Sequence, residues 1–295
     1  MSEQRILDWL ATQQGAMLDA LRAMVDTDGG SYDKAGVDAV GAQIARFLEG
    51  HGVPVQTLPQ PRFGDCLRAT VAAEGAAAGA TGAAGNTQRN IVLMGHRDTV
   101  FPRGEPQRRP FTIQGDRAYG PGVADMKAGL VMNMFVLAAF AKFGGAPGPL
   151  VGLFTGDEEI GSPEGRPVIE AEARAARVVF NSEPGRPDGG VVTGRKGGVF
   201  MAMDIEGKAA HSGGNFEQGI SAIGELAAKV TAIHALTDLW RGITLNVGLV
   251  SGGQSVNTVA PSAQGQIDLR YVEPADRDEV MGRIAEIVAR SFVPG

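Results

Sequence analysis

Four clusters of acidic or histidine residues stand out: His96-Arg97-Asp98, Asp125 within the glycine-flanked run 120–129, Asp157-Glu158-Glu159, and Glu183. Each falls at or just after the C-terminal end of an expected strand, the edge at which open α/β sheets place ligands. Residues i and i+2 of an extended segment point the same way. His96 can therefore bind a metal ion while Asp98 lies close enough to orient the imidazole. Asp125 precedes an apolar helix and has two readings. It is a helix N-cap, or it is a functional carboxylate given close backbone approach by the glycines around it. The acids at 157–159 are either a solvated surface run or a group stabilised beside a buried strand by a cation. Glu183 follows a further strand. Gathered in one crevice, Asp98, Asp125, Glu158, Glu159 and Glu183 would repel one another. Divalent cations remove that conflict, and nitrogen and carboxylate donors without thiolate suit Zn2+, Mn2+ or Co2+. A carboxylate bridging two ions ~3.5–4 Å apart makes a co-catalytic site.

From about His96 to Arg270 the order of these motifs resembles the zinc-dependent peptidase and deacylase family that includes glutamate carboxypeptidase, acetylornithine deacetylase, succinyl-diaminopimelate desuccinylase and aminoacylase. The runs Asp98-Thr-Val-Phe-Pro102 and Asn181-Ser-Glu-Pro184 are most similar to the glutamate carboxypeptidase branch. The resemblance implies that His96, Asp125, Glu159 and Glu183 are metal ligands, with Asp125 bridging, that Asp98 supports His96, and that Glu158 is the general base. It implies two Zn2+ per subunit in the full-length protein. The reaction implied is hydrolysis of an amide next to a free carboxylate, in a peptide or an N-acyl amino acid, with a metal-bound hydroxide as nucleophile. Three ligand carboxylates leave two Zn2+ ions a residual positive charge, which favours hydroxide. Glu158, not spent on a metal, can take a proton from water and return it to the leaving amine. The alternative is a non-catalytic metal-binding or dimerising relative, or an inactive fragment, in which Glu158 has no such task.

The same resemblance implies a smaller lid and dimerisation domain, a homodimer formed through it, and substrate contacts from His211, Asn257, Arg270 and Lys196. His211, in the run 207–214, would stabilise an oxyanion in the partner subunit's site; on its own it reads as an exposed turn histidine. Arg270 could hold a substrate carboxylate bidentately or pair with Asp268 on the same strand face. Lys196 lies in the glycine-rich stretch 194–198. The family's second metal needs a histidine from the C-terminal part of the catalytic domain, and no histidine follows His234. The chain is therefore expected to be C-terminally truncated, with the last lid strand missing.

The elements that must position these residues follow from periodicity. Apolar residues from Leu7 to Val25 and from Val37 to Leu48 recur at helical spacing, the second helix being expected to start at an N-cap Ser31. Residues 53–58 and 67–73 read as strands, and the Ala/Gly tract 72–85 as a surface loop. The continuous apolar runs 91–95 and 150–155 read as buried strands and 126–143 as an apolar helix, followed by a helix at 163–176 and a strand at 178–181. Strands alternating with helices predict a doubly wound, mostly parallel α/β catalytic domain over 1–194. Residues 195–295 predict a β-α-β-β-α module, an α+β ferredoxin-like lid.

Composition closes off other classes. Lys and Arg number 27 against 33 Asp and Glu, a net charge of −6 that argues against a nucleic-acid or anionic-membrane binder. No apolar run reaches the ~18 residues of a membrane span. The single cysteine cannot form an internal disulfide. With no apolar signal core at the N-terminus, the chain reads as cytoplasmic. A dinucleotide-binding enzyme is disfavoured because no Gly-x-Gly-x-x-Gly opens a helix after the first strand.

Overall fold

The computed structural model describes residues 3–74 and 89–295. The chain divides into two compact units, Met1–Gly190 and Val191–Gly295, where the sequence suggests a division at 194/195. The Ala/Gly tract expected to form a loop lies almost wholly outside the described residues.

In the first unit the elements run α1 (Glu3–Ala11), α2 (Gln14–Val25), α3 (Lys34–Gly50), β1 (Val55–Leu58), β2 (Cys66–Val71), β3 (Asn90–His96), α4 (Glu105–Arg108), β4 (Thr112–Gln114), β5 (Arg117–Tyr119), α5 (Ala128–Lys142), β6 (Leu150–Thr155), α6 (Arg166–Ala175) and β7 (Ala176–Asn181). The apolar pattern expected as one helix over residues 7–25 is broken into α1 and α2. At the break the Thr12 hydroxyl donates to the Trp9 carbonyl at 2.7 Å, competing with the helical ladder. Ser31 does not cap α3. That position belongs to Asp33, whose carboxylate accepts the Gly36 amide at 3.2 Å.

The main sheet has the order β1-β2-β6-β3-β7. Strands β6, β3 and β7 are parallel, as expected of strands joined by helical crossovers. Strands β1 and β2 pair antiparallel, as do β2 and β6. The sheet is thus mixed, with its parallel half carrying the strand ends of interest. Its core includes Val25, Ile44, Leu48, Leu130, Phe135, Leu137 and Phe154. At its centre lies α5. With the turn before it, the helix Val123–Lys142 is 20 residues long and apolar enough to cross a membrane by length and composition, which the short apolar runs had not suggested. Within this unit it is a core helix, with 61% of its most apolar stretch buried.

The second unit holds β8 (Gly197–Glu206), α7 (Ala222–His234), β9 (Thr244–Gly252), β10 (Ser262–Tyr271) and α8 (Pro274–Ala289), the expected β-α-β-β-α order. Its antiparallel sheet has the order β8-β10-β9. Alternate residues of β10 (Ala263, Gly265, Ile267 and Leu269) are buried. They pack with Leu226 and Ile233 of α7 and Val280 and Ile284 of α8. The end of α8 is held by a buried ion pair. Lys229 Nζ lies 2.8 Å from Glu225 and donates to the carbonyls of Ile287, Val288 and Arg290. Glu225 in turn accepts the amides of Phe292 and Val293, both at 2.8 Å.

Candidate metal centre

Three parallel strands end side by side. His96, the last residue of β3, is in register with Thr155, the last of β6, and Met94 with Asn181, the last of β7. The chain leaving each strand therefore delivers its acids to one edge of the sheet. His96 is the hub, 2% exposed. Its Nε2 lies 3.2 Å from Asp125 Oδ1, 3.6 Å from Glu183 Oε1 and 3.9 Å from Glu158 Oε2. Ligand atoms of His96, Asp125 and Glu159 all lie within 4.8 Å of one another. One imidazole nitrogen and carboxylate oxygens gathered this closely are a donor set of the kind that holds a divalent cation.

The i, i+2 expectation is met in detail. His96 Nδ1 contacts the Asp98 carbonyl at 2.9 Å and the Asp98 carboxylate at 3.3 Å, leaving Nε2 to face the acids. Arg97, between them, points the other way and is completely buried. Its guanidinium donates to the carbonyls of Thr155 at 3.2 Å and Val37 at 3.1 Å, and to that of Asp65. It ties the end of β6 to α3 and to the turn before β2. Asp98 is also fully buried, and its carboxylate accepts the Ser31 hydroxyl at 2.8 Å and the amides of Glu158 and Glu159 at 3.0 and 3.1 Å.

The geometry separates the two readings of Asp125. Helix α5 begins at Ala128, and no side chain caps it. Asp125 itself has extended backbone, φ −115° and ψ 96°, and turns its carboxylate to His96. The loop that carries it is anchored by Lys127, whose buried Nζ donates to the carbonyls of Met24 at 2.9 Å and Thr27 at 3.1 Å. Burial pushes the Lys127 ammonium down to about 8. The acid run also divides. Asp157 is buried away from the others and accepts the amides of Glu164 and Gly165, both at 2.8 Å, ahead of α6. Glu158 and Glu159 lie on the short helical turn Glu158–Ile160. Glu183 is set by its neighbour: Ser182 donates to Asn133 at 2.7 Å, and Asn133 donates to the Met94 carbonyl of β3 at 3.1 Å.

Charge crowding shows in the titration of the site. Burial opposes a charged imidazole, but the hydrogen bond and charge of Asp98 and the charges of Glu183 and Glu158 outweigh it, raising His96 to about 9. Burial, and then the charge of Asp125, raises Glu159 to about 7. Burial also acts against the Asp98 carboxylate, yet its bonds to His96, Ser31 and the Glu158 amide hold it below the usual carboxylate range. A proton on His96 thus occupies the place a cation would take.

Ser31, Asn133, Arg97 and Lys127 support the site without having been singled out for that purpose. One sequence signal was available: Asn133 is the lone polar residue in the apolar run 128–141.

The remaining candidates lie in the second unit. The segments of His211 and Asn257 meet there: Ser212 donates its amide to the Asn257 carbonyl at 3.0 Å, and His211 pairs with Thr258 across a β-bridge. Both side chains are exposed. His211 Nδ1 accepts the Gly213 amide at 3.1 Å, and Asn257 Oδ1 accepts the Ser255 hydroxyl at 2.9 Å. Arg270 makes the local pair with Asp268, at 2.8 Å, and stacks over the Phe200 ring at 5.1 Å. Lys196 is exposed. His234 is exposed too, and its Nε2 accepts the Val247 amide at 2.9 Å, a tie between α7 and β9.

Comparison with known proteins agrees with this architecture. Residues 193–295 match the model of the peptidase dimerisation domain of the M20 family. Carboxypeptidase G2 of Pseudomonas sp. (strain RS-16) is 29% identical over 286 residues, covering 96% of this chain and 66% of that protein. Acetylornithine deacetylase of Klebsiella pneumoniae is 26% identical, covering 92% of this chain and 72% of that protein. The fold is shared with the M20 family metallo-carboxypeptidase Sso-CP2 from Sulfolobus solfataricus, with a TM-score of 0.72 at 17% identity over 94% of this chain and 77% of that one. The chain thus spans about two thirds to three quarters of the length of these proteins. In the order of its parts, in sequence and in fold the chain is thus similar to members of the M20 peptidase family.

Proposed function

We propose that the protein is a zinc-dependent hydrolase of amides adjacent to a free carboxylate, acting as a carboxypeptidase or an N-acyl-amino-acid deacylase. The observation that carries this reading is the convergence of Asp125, Glu158 and Glu183 on His96 Nε2, with Glu159 in the same ligand group. A divalent cation held there would polarise the scissile carbonyl and acidify a water molecule. His96, Asp125, Glu159 and Glu183 would hold it. Asp98 holds the backbone amides of Glu158 and Glu159 alike, and Glu158 differs in keeping its side chain half exposed, 3.9 Å from His96 Nε2. That position lets it accept a proton from water and pass it to the leaving amine. Asp98 fixes the imidazole and the Glu158–Glu159 turn together, so that base and ligands keep one geometry through turnover. The match of 193–295 to a dimerisation domain supports a homodimer formed through the second unit, with His211, Asn257, Arg270 and Lys196 as its candidate substrate contacts.

The test is amine release from a panel of dipeptides and N-acyl amino acids by the zinc-loaded chain. We expect hydrolysis, reduced by about 100-fold or more in Glu158→Gln at unchanged metal content. Undiminished turnover in that variant at full metal occupancy, or no hydrolysis of any member of the panel, would contradict the reading.

A further inference from the structure

A concavity of about 740 Å3 opens beside the metal centre, wholly within the first unit, and Glu159 forms part of its wall. Five of the other ten wall residues bring apolar side chains: Tyr32, Val100, Phe101, Pro102 and Ile160. Two of these side chains are unusually bare, Tyr32 at 82% and Val100 at 68% exposure. Both lie on segments whose neighbours are pinned at the site. Ser31 is bonded to Asp98, and Thr99 donates its amide to the Gly29 carbonyl at 2.8 Å. The two aromatic rings are braced as well, Tyr32 edge-on to Phe63 at 6.1 Å and Phe101 under the Arg109 guanidinium at 5.0 Å. The wall thus presents a braced apolar face directly continuous with a candidate metal ligand.

Its polar groups indicate what it does not bind. The cation in the wall, Arg103, is engaged by Asp33 at 2.5 Å. A substrate carboxylate would meet a neutralised pair and the acid Glu159. The side of the substrate that bears the free carboxylate is therefore disfavoured here. The acyl side gains by burying apolar surface against five apolar residues, at ~25 cal/mol per Å2.

Resting on the hydrolase reading above, we propose that this concavity receives the acyl group of the substrate and selects an aromatic or bulky apolar acyl group over a small or acidic one. Tyr32 and Val100 then act as specificity-determining residues, distinct from the ligands and the base.

The experiment compares N-benzoyl, N-acetyl and N-succinyl derivatives of one amino acid with the zinc-loaded chain and its Val100→Asp and Tyr32→Ser variants, by hydrolysis and by calorimetric binding in parallel. Both positions are exposed, so folding should survive, as circular dichroism would verify. The expected result is at least about tenfold higher kcat/KM for the benzoyl compound. Both variants should lose that preference through KM while hydrolysing the acetyl compound within about twofold of the parent. A preference unchanged in both variants, or a preference for the succinyl compound, would overturn the proposal. Should no compound be hydrolysed, the hydrolase reading fails. Binding then decides the concavity: tighter binding of the benzoyl compound that Val100→Asp weakens supports it, and equal binding overturns it.

Discussion

The carboxylate of Asp98 accepts the backbone N–H of Glu159 at 3.1 Å. Its other oxygen takes that of Glu158 at 3.0 Å, and the same residue braces His96 Nδ1. One buried acid therefore couples the end of β3 to the turn after β6. In Asp98→Asn an amide nitrogen would face a backbone N–H, donor against donor, with no charge to set the imidazole. We expect zinc affinity to fall by roughly 10–100-fold, as read by competition with a chromophoric chelator. Denaturant unfolding should show a loss of about 1–3 kcal/mol from the unsatisfied buried groups.

Proton and metal compete at this centre, and the signs are fixed by the two raised groups. His96 at about 9 is protonated at neutral pH, and Glu159 at about 7 is half protonated. Cation binding must displace these protons, so affinity should climb through pH 7 and flatten only above pH 9. Calorimetry in buffers of differing ionisation enthalpy should detect proton release at pH 7. Without metal, both groups hold their protons more tightly folded than unfolded. Their contribution to stability is then present at acid pH and is lost as pH rises, through about 7 for Glu159 and about 9 for His96. The melting temperature of the metal-free protein should fall across that window, and saturating zinc should reverse the fall.

Gly129 lies in the first turn of α5, directly under the chain that carries Glu183. A Cβ there would stand 2.0 Å from the Ser182 carbonyl oxygen, a backbone atom with no room to yield. Gly129→Ala should displace the end of β7 and weaken metal binding more than it lowers overall stability. Parallel measurements of zinc affinity and thermal unfolding would check this, and equal, small changes in both would count against the assignment of Glu183.

In the second unit, Lys229 and Glu225 jointly hold the end of α8 and the residues beyond it. Lys229→Met leaves Glu225 buried without its cation and three carbonyls without a donor. We expect a loss of roughly 3 kcal/mol in stability. Hydrogen exchange should place the earliest opening at residues 287–293, with metal affinity unchanged.

The site was legible where chemistry follows strand periodicity. His96 and Asp98 share a face because of the two-residue alternation that turns Arg97 into the core. Glu158 and Glu159 could be placed because an apolar run long enough to be a buried strand precedes them. Asp125 could not be resolved between cap and ligand, since that depends on where α5 starts, which is a matter of backbone geometry. Ser31 looked like a cap for the same reason; its hydroxyl instead serves Asp98, 67 positions away. The direction of β2 was also beyond reach, because pairing with β6 joins segments distant in sequence. Conversely, the β-α-β-β-α order of the second module was plain in the sequence, and the alternate burial along β10 is what a sheet with one covered face requires. Arg270 pairs there with Asp268, a contact that the sequence leaves evenly balanced against a substrate carboxylate.

The hydrolase reading requires that His96, Asp125, Glu159 and Glu183 hold a divalent cation together. The direct measurement is zinc content and affinity of the metal-stripped and reloaded chain, by mass spectrometry of the metal and by titration, beside His96→Ala and Asp125→Asn. Stoichiometric, chelator-reversible binding that both substitutions abolish is the predicted result. Absence of binding at micromolar zinc, or binding indifferent to both substitutions, would contradict it.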